Sequence, residues 1–399
     1  MLLKAQKEKL KPLVEQHLRK IVEQIGPREI GTKENERTRL YIASEANKLG
    51  MACAEHKMSV TIRKPISWNC NIHLNSNSVP LSILPGLSTP PANLSGMKVS
   101  PMTYETKKDF EDNPPEKNSL VLVKLGALHE SDMCRLADSA SAVAWYRDGF
   151  KGLYSGNCMR FDTEPLVPGF AILYEDIQKL KAPNVCVDLK IEVSKTPITI
   201  TNLIVDIGKV DGHPCLITHF DSRRCSPGGN DNASGVACLL AALSIWNTKN
   251  SARFIFFDGE EANNMGSRDY VNWLKTENRL DEISCVVCPD SVGLNELHIY
   301  TADRYAQLSD VMISSIRNAF KRQEWNVPAR VARAGTSDHA SFNKVGIPCL
   351  FLSDHPNVVR HTTIDDLARI DYDALARLAE VFADEEFYAD LVRAFPPKG

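Results

Sequence analysis

Leu10, Leu13, Val14, Leu18, Ile21, Val22 and Ile25 recur at helical spacing among charged residues. This predicts an amphipathic helix over residues 4–26 with one buried face, stopped by Gly26-Pro27. A second helix is expected from Lys33 to Leu49, with Leu40, Ile42, Ala43, Ala46 and Leu49 inward and Gly50 as its C-terminal cap. The texture then changes. Residues 59–118 carry short alternating runs broken by Pro80, Pro85, Pro90, Pro91, Pro101, Pro114 and Pro115, which exclude long helices. Next come a strand (Ser119–Leu125), a short helix (about Glu130–Ala137), a strand (Ala142–Tyr146) and an alternating run (Ile191–Thr201). Residues 60–192 thus read as an inserted, mainly β domain, flanked by 1–59 and 193–399, which form one domain around it.

From Thr201 onward, short apolar runs alternate with helical stretches. Pro214–Thr218, Arg253–Phe257, Ile283–Cys288 and Pro348–Leu352 read as strands. Ala233–Trp246, Ser267–Lys275, Tyr305–Arg322 and Tyr372–Tyr388 read as helices. This is the pattern of an α/β fold: a mixed, mostly parallel twisted sheet with helices on both faces.

The 399 residues are 43% hydrophobic and 24% charged, which excludes a disordered chain. A net charge of −3 supplies no basic field for nucleic acid or an anionic membrane. The longest near-apolar run, Ala233–Trp246, is shorter than the ~20 residues a membrane-spanning helix needs. The lysine-studded N-terminus has no signal-peptide pattern, and eleven scattered cysteines suit reduced thiols, so a cytoplasmic location is expected. The Cys285-Val-Val-Cys288 pair sits inside an apolar strand and reads as core packing.

The residues just beyond each expected strand carry the chemistry. The first strand ends in His219-Phe220-Asp221, the second in Asp258-Gly259-Glu260-Glu261, and the third in Pro289-Asp290. The last leads through Ser353–Arg360 to His361. Asp231 lies in the Gly-rich loop 227–235. In open α/β sheets ligands bind beyond the carboxyl ends of the strands. So many carboxylates on one rim cannot all stay ionised without a compensating charge, and a metal supplies one. Two His with three Asp or Glu, and no thiolate, suit an open two-metal site of zinc, cobalt or manganese. Of the adjacent Glu260 and Glu261, one can ligate while the other faces a metal-bound water as general base. Asp221 is placed to fix the His219 tautomer.

At these residues the chain resembles the M28 family of co-catalytic zinc peptidases, a zinc-exopeptidase-like fold. HFDS (219–222), PGGNDNASGVA (227–237), FFDGEEANNMGS (256–267), CPDSVGL (288–294), SDHASF (337–342) and VVRHTTIDDLARID (358–371) appear in family order, and GPREIGTKEN (26–35) resembles the family's N-terminal segment. The resemblance implies His219, Asp231, Glu261, Asp290 and His361 as ligands of two divalent ions, zinc first, with Asp231 bridging. It implies Glu260 as general base and Asp221 as the residue orienting His219. Arg360 stands where many members carry Tyr. The inserted segment resembles a protease-associated domain. His361 is preferred over His355 as ligand because His361-Thr-Thr-Ile-Asp-Asp matches the family. Asp338 and His339 read either as pocket-shaping residues or as a buried hydrogen-bonded pair.

The expected function is a metal-dependent exopeptidase, an aminopeptidase acting on peptides with a free N-terminus. The rivals are a glutaminyl cyclase, a carboxypeptidase or dipeptidase on the same scaffold, and a non-catalytic binding protein.

Overall fold

The computed structural model describes residues 4–74, 77–128, 135–136, 138–156, 167–208, 212–246, 249–303, 305–330 and 337–396. The helix expected at about 130–137 lies, but for residues 135 and 136, outside them. In order the elements are α1 (Lys4–Leu18, prolonged by a wider turn Arg19–Ile25), α2 (Lys33–Lys48), β1 (Cys53–Leu74), β2 (Asn77–Pro80), β3 (Ile83–Pro85), β4 (Ala92–Tyr104), α3 (Lys107–Asp112), β5 (Ser119–Lys124), β6 (Ala140–Tyr146), β7 (Gly169–Ile172) and β8 (Cys186–Ile207). They continue with β9 (His213–His219), α4 (Ser234–Ser244), β10 (Ala252–Phe257), α5 (Met265–Thr276), β11 (Ile283–Pro289), β12 (Glu296–Tyr300), α6 (Asp310–Arg322), β13 (Ala329–Arg330), α7 (His339–Asn343), β14 (Cys349–His355), α8 (Tyr372–Phe382) and α9 (Glu385–Ala394). The chain divides into two compact units: Met1–Ser59, Thr199–Arg360 and Asp365–Gly399 form the first, and Val60–Ile198 with His361–Ile364 the second. No helix among the described residues is long and apolar enough to cross a membrane.

The first unit is a mixed sheet in the order β13-β12-β14-β11-β9-β10-β8. The central four strands are mutually parallel. Strands β8 and β12 run antiparallel to their neighbours β10 and β14. Successive strand residues point to opposite faces, so a strand buried on both must be apolar throughout. Leu216, Phe254, Phe256, Val287 and Leu350 face one core, built with α1, α4, α8 and α9. Ile217, Ile255, Val286 and Phe351 face the other, with Tyr270 and Leu274 of α5 and Phe342 of α7. Cys285 and Cys288, three residues apart, enter opposite cores, and the cysteines among the described residues are free thiols. The parallel set brings the carboxyl ends of β9, β10, β11 and β14 to one edge.

Three expectations need correction. Leu40 and Leu49 are exposed, at 52% and 40%, while Asn35, Thr38, Ile42 and Ala46 form the buried stripe of α2. Leu40 is two residues from both Thr38 and Ile42, about 200° round the helix from each. The C-terminal amphipathic stretch is two helices, broken at Ala383-Asp384. Helix α6 begins at Asp310 rather than Tyr305, because the Ser309 hydroxyl accepts the Met312 N–H as an N-cap. Strand β12 escapes periodicity because it is short and has only two fully buried residues, Leu297 and Ile299.

The second unit has the order β8-β4-β5-β6-β7-β3, with β4 to β7 parallel and β1 paired to β2. Here too the apolar strands feed two cores. Leu120, Leu122 and Ala144 face one, and Val121, Val123 and Trp145 the other. Residues His361–Ile364 are held within this unit: the Ser155 N–H donates to the His361 carbonyl at 2.7 Å, and the Thr363 N–H to the Leu153 carbonyl at 3.1 Å.

His17 on α1 is buried, with Nδ1 2.6 Å from the Tyr41 hydroxyl on α2. Burial pushes its imidazole pKa down to about 4. Below about pH 6.5 the unfolded chain gains a proton at this site that the folded chain refuses, so stability falls as pH drops from about 6.5 toward 4. Between pH 6.5 and 5 the wild type should lose about 1.5 kcal/mol more stability than His17→Gln, the slope rising toward about 1.4 kcal/mol per pH unit as the unfolded imidazole protonates. Urea unfolding of both proteins at the two pH values checks this; equal losses would remove His17 as the cause.

Candidate metal centre

Strand β9 delivers His219, with Asp221 two residues on; β10 delivers Glu260 and Glu261; β11 delivers Asp290. All are buried. The His219 Nε2 atom is 3.3 Å from Asp231 Oδ1, 3.8 Å from Asp290 Oδ2 and 3.9 Å from Glu260 Oε2. Ligand atoms of His219, Glu260 and Asp290 lie within 4.8 Å of one another. Two of these atoms, His219 Nε2 and Asp290 Oδ2, are buried and make no hydrogen bond. Buried polar atoms of native proteins are normally satisfied, so such a pair beside a carboxylate fits a bound cation.

The His219 ring is oriented from its other side. Its Nδ1 is 3.2 Å from the Asp221 carbonyl and 3.4 Å from Asp221 Oδ1. The Asp221 carboxylate also accepts the Glu260 and Glu261 backbone N–H groups, both at 3.1 Å. One carboxylate thereby ties the end of β9 to the turn after β10. Burial opposes charge on His219, yet Glu260, Asp221, Asp231 and Asp290 raise its pKa well above the ordinary value. Burial, with Glu261, Asp290 and Asp338, lifts the Glu260 carboxyl well above its usual range against the pull of His219.

Asp231 is fixed by its neighbours in sequence. Asn232 donates from Nδ2 to Thr218 Oγ1 (2.9 Å) and the Pro289 carbonyl (3.0 Å), and its Oδ1 accepts the Gly235 and Ser291 N–H groups. Asn230 donates to Asp354 Oδ2 and accepts the Gly293 N–H. The Asp365 carboxylate accepts the backbone N–H groups of Asn230 (2.9 Å) and Asp231 (3.0 Å). Gly235 is required here, since a Cβ would stand 2.5 Å from Thr218 Oγ1 and 2.6 Å from the Pro289 carbonyl.

Arginines complete the site. Arg223 Nε donates to Glu261 Oε2 at 2.6 Å. Arg360 places Nε 3.2 Å from Asp231 Oδ2 and Nη2 4.0 Å from Asp290 Oδ2. Arg28, wholly buried, donates to the carbonyls of Phe220 (2.6 Å), Pro227 (2.6 Å) and Gly228 (2.8 Å). It clamps the loops that carry Asp221 and Asp231. Sequence patterning missed Arg28, Arg223, Asn230, Asn232 and Asp365 as positioning residues. All five lie within or beside the quoted motifs, and the Asn-Asp-Asn triplet was the available signal.

His361 belongs to the second unit, where Nδ1 and the Tyr154 hydroxyl share a 3.2 Å hydrogen bond. It is joined by one peptide bond to Arg360 of the first unit. His355 is exposed at the end of β14. Asp338 is fully buried, and burial pushes its carboxyl up to about 7. His339 stacks on Phe351 with ring centroids 4.2 Å apart, as a core histidine does.

A sheet edge gathering buried imidazole and carboxylate groups around unsatisfied atoms has the donor set that could hold a divalent ion and, with it, activate a water. Residues 202–385 match the family model described as Peptidase family M28. Aminopeptidase YwaD of Bacillus subtilis is 26% identical over 345 residues, covering 82% of this chain and 71% of YwaD. Leucine aminopeptidase 1 of Ajellomyces capsulatus is 23% identical over 237 residues, covering 52% of this chain and 61% of its own length. Among solved structures, BSAP, described as a zinc aminopeptidase from Bacillus subtilis, superposes with a TM-score of 0.73 at 22% identity, covering 94% of both chains.

Replacing Arg28 by Met should leave three buried carbonyls unsatisfied and lower stability by about 3–5 kcal/mol. Denaturant unfolding followed by circular dichroism measures this; a loss below about 1 kcal/mol would contradict the clamp.

Proposed function

We propose that this chain is a zinc-dependent aminopeptidase that removes N-terminal residues from peptides bearing a free α-amine. The observation that carries this reading is the meeting of His219, Glu260 and Asp290, with two of their buried ligand atoms making no hydrogen bond. The aminopeptidase relatives and the zinc aminopeptidase fold neighbour support it.

In this reading His219, Asp231 and Asp290 hold one ion, and Asp231, Glu261 and His361 the other. His361 comes directly after Arg360, whose guanidinium reaches Asp231. Bound ions would acidify a water and polarise the scissile carbonyl. Glu260 takes the proton from the attacking water and passes it to the leaving amine. Its environment suits the task, since burial and neighbouring acids favour the protonated carboxyl it becomes midway. Asp221 holds His219 and both glutamates in register. Asn230, Asn232 and Asp365 keep Asp231 turned inward. Segment 60–192 is read as a protease-associated-like domain on its VLVKLG (121–126), AVAWYRDG (142–149) and VPGFAIL (167–173) stretches. Free thiols among the described cysteines accord with a cytoplasmic location.

Purified protein should contain two zinc ions per chain and hydrolyse aminoacyl arylamides, with activity abolished by a chelator and restored by zinc. One ion per chain with cyclisation of N-terminal Gln would reassign it to cyclase chemistry. Glu260→Gln should retain its metal, by elemental analysis, while turnover falls about 10²–10⁴-fold. Near-wild-type turnover in that variant would reject Glu260 as the base.

A further inference from the structure

The sheet register extends the site sideways, toward an edge that the proposed chemistry does not use. Val287 pairs with Leu216, and Pro289 with Leu352. Continuing these parallel registers past the strand ends puts His219, Asp290 and Ser353 in one row on one face. Ser353 pairs directly with His298, so His298 shares that row. The next row on the same face holds Phe351, Tyr300 and, on the edge strand β13, Arg330. Strands lie ~4.8 Å apart, which puts β12 roughly 10 Å from β11, the strand of Asp290.

This flank is cationic and half-buried. The Arg330 guanidinium lies over the Tyr300 ring, 5.9 Å from its centroid. Among the described residues no carboxylate is within ion-pair distance of Arg330. Arg360 reaches the same row at Asp290, its Nη2 4.0 Å from Asp290 Oδ2. Burial and Asp354 push the Tyr300 phenol up, while Arg330 and, more weakly, Arg360 pull it down. The nearby acids are committed elsewhere. Glu296 is largely exposed and sits 3.4 Å from His298 Nε2. Asp354, on the opposite face, accepts from Asn230 and the Leu294 N–H. Asp303 accepts the Tyr305 and Ala306 N–H groups and the Asn343 amide. The carboxylates near Arg360, Asp231 and Asp290, are the proposed ion ligands.

We propose that Arg330 and Arg360, with Tyr300 and His298 beside them, form a recognition wall for a substrate carboxylate, supplied by the side chain of an acidic N-terminal residue. The proposal rests on the aminopeptidase reading and narrows it to Glu- and Asp-terminated peptides. The first side chain of such a substrate leaves the backbone one atom from the scissile carbonyl, next to Asp290 and thus to this flank. A carboxylate there meets two guanidinium groups in a partly desolvated setting, where charge-assisted hydrogen bonds are strong.

The test compares kcat/KM of zinc-loaded full-length protein for Glu-, Gln- and Leu-arylamides. The expected result is a Glu over Gln preference of at least tenfold that shrinks with added salt. Arg330→Gln should cut that ratio at least fivefold, mainly through KM, Arg330→Lys should restore part of it, and Arg330→Glu should turn the preference toward Lys-arylamide. Equal rates for Glu and Gln, or a ratio untouched in Arg330→Gln, would overturn the proposal. A second arm compares Leu-Gly with Leu-Gly-amide: a preference for the free C-terminus without a preference for Glu assigns the cations to a main-chain carboxylate and also overturns it. If no arylamide is cleaved, the aminopeptidase reading fails. Calorimetric binding of L-glutamate against L-glutamine then decides the wall separately, and equal affinities would reject it.

Discussion

Mutual repulsion among buried carboxylates is the constraint around which the first unit is organised. Asp221, Asp231, Glu260, Glu261 and Asp290 are nearly solvent-free at one end of a parallel sheet. Charges taken out of water are tolerated only when paired, hydrogen-bonded or neutralised. The surroundings use all three means. Arg223 and Arg360 supply opposite charge to Glu261 and Asp231. Backbone N–H groups satisfy Asp221 and Asp365. Burial raises the carboxyls of Asp258, Asp354 and Asp365 to about 7. Around His219, buried ligand atoms are still left without a hydrogen bond, and a divalent ion there would complete the balance.

The sheet explains why these groups meet. Parallel strands all end on one side, so each can contribute one polar residue there while its interior serves two cores. The apolar runs at 214–218, 253–257, 283–288 and 348–352 revealed this architecture, because a strand buried on both faces has no polar position to spare. The residues just beyond each run were legible for the same reason: His219, Glu260, Glu261 and Asp290 interrupt apolar sequence at strand ends.

Other parts were hidden for physical reasons. Leu40 is as apolar as Ile42, but the face of α2 is set by what packs on it, and Asn35 there bonds to Asp258 instead. Strand β12 is too short to show a period. Arg28 and Arg223 look like ordinary surface arginines, since nothing local tells a cation bonded to three carbonyls from one in solvent. Asn230 and Asn232 act through partners far along the chain, Asp354 and Pro289, a relation that one-dimensional patterning does not record.

The Arg28 clamp bears on where a self-sufficient fragment of this chain can begin. The family-model match starts at residue 202, yet Arg28, Glu29 and Asn35 lie some 170 residues upstream and bond to Phe220, Arg224 and Asp258 within it. A fragment trimmed to the matched stretch would keep every proposed ligand and lose the buttress behind them. Water would take over the vacated carbonyls, and the two loops would drift out of alignment. The span of the family model, for this chain, marks where the chemistry is written and not where folding autonomy begins.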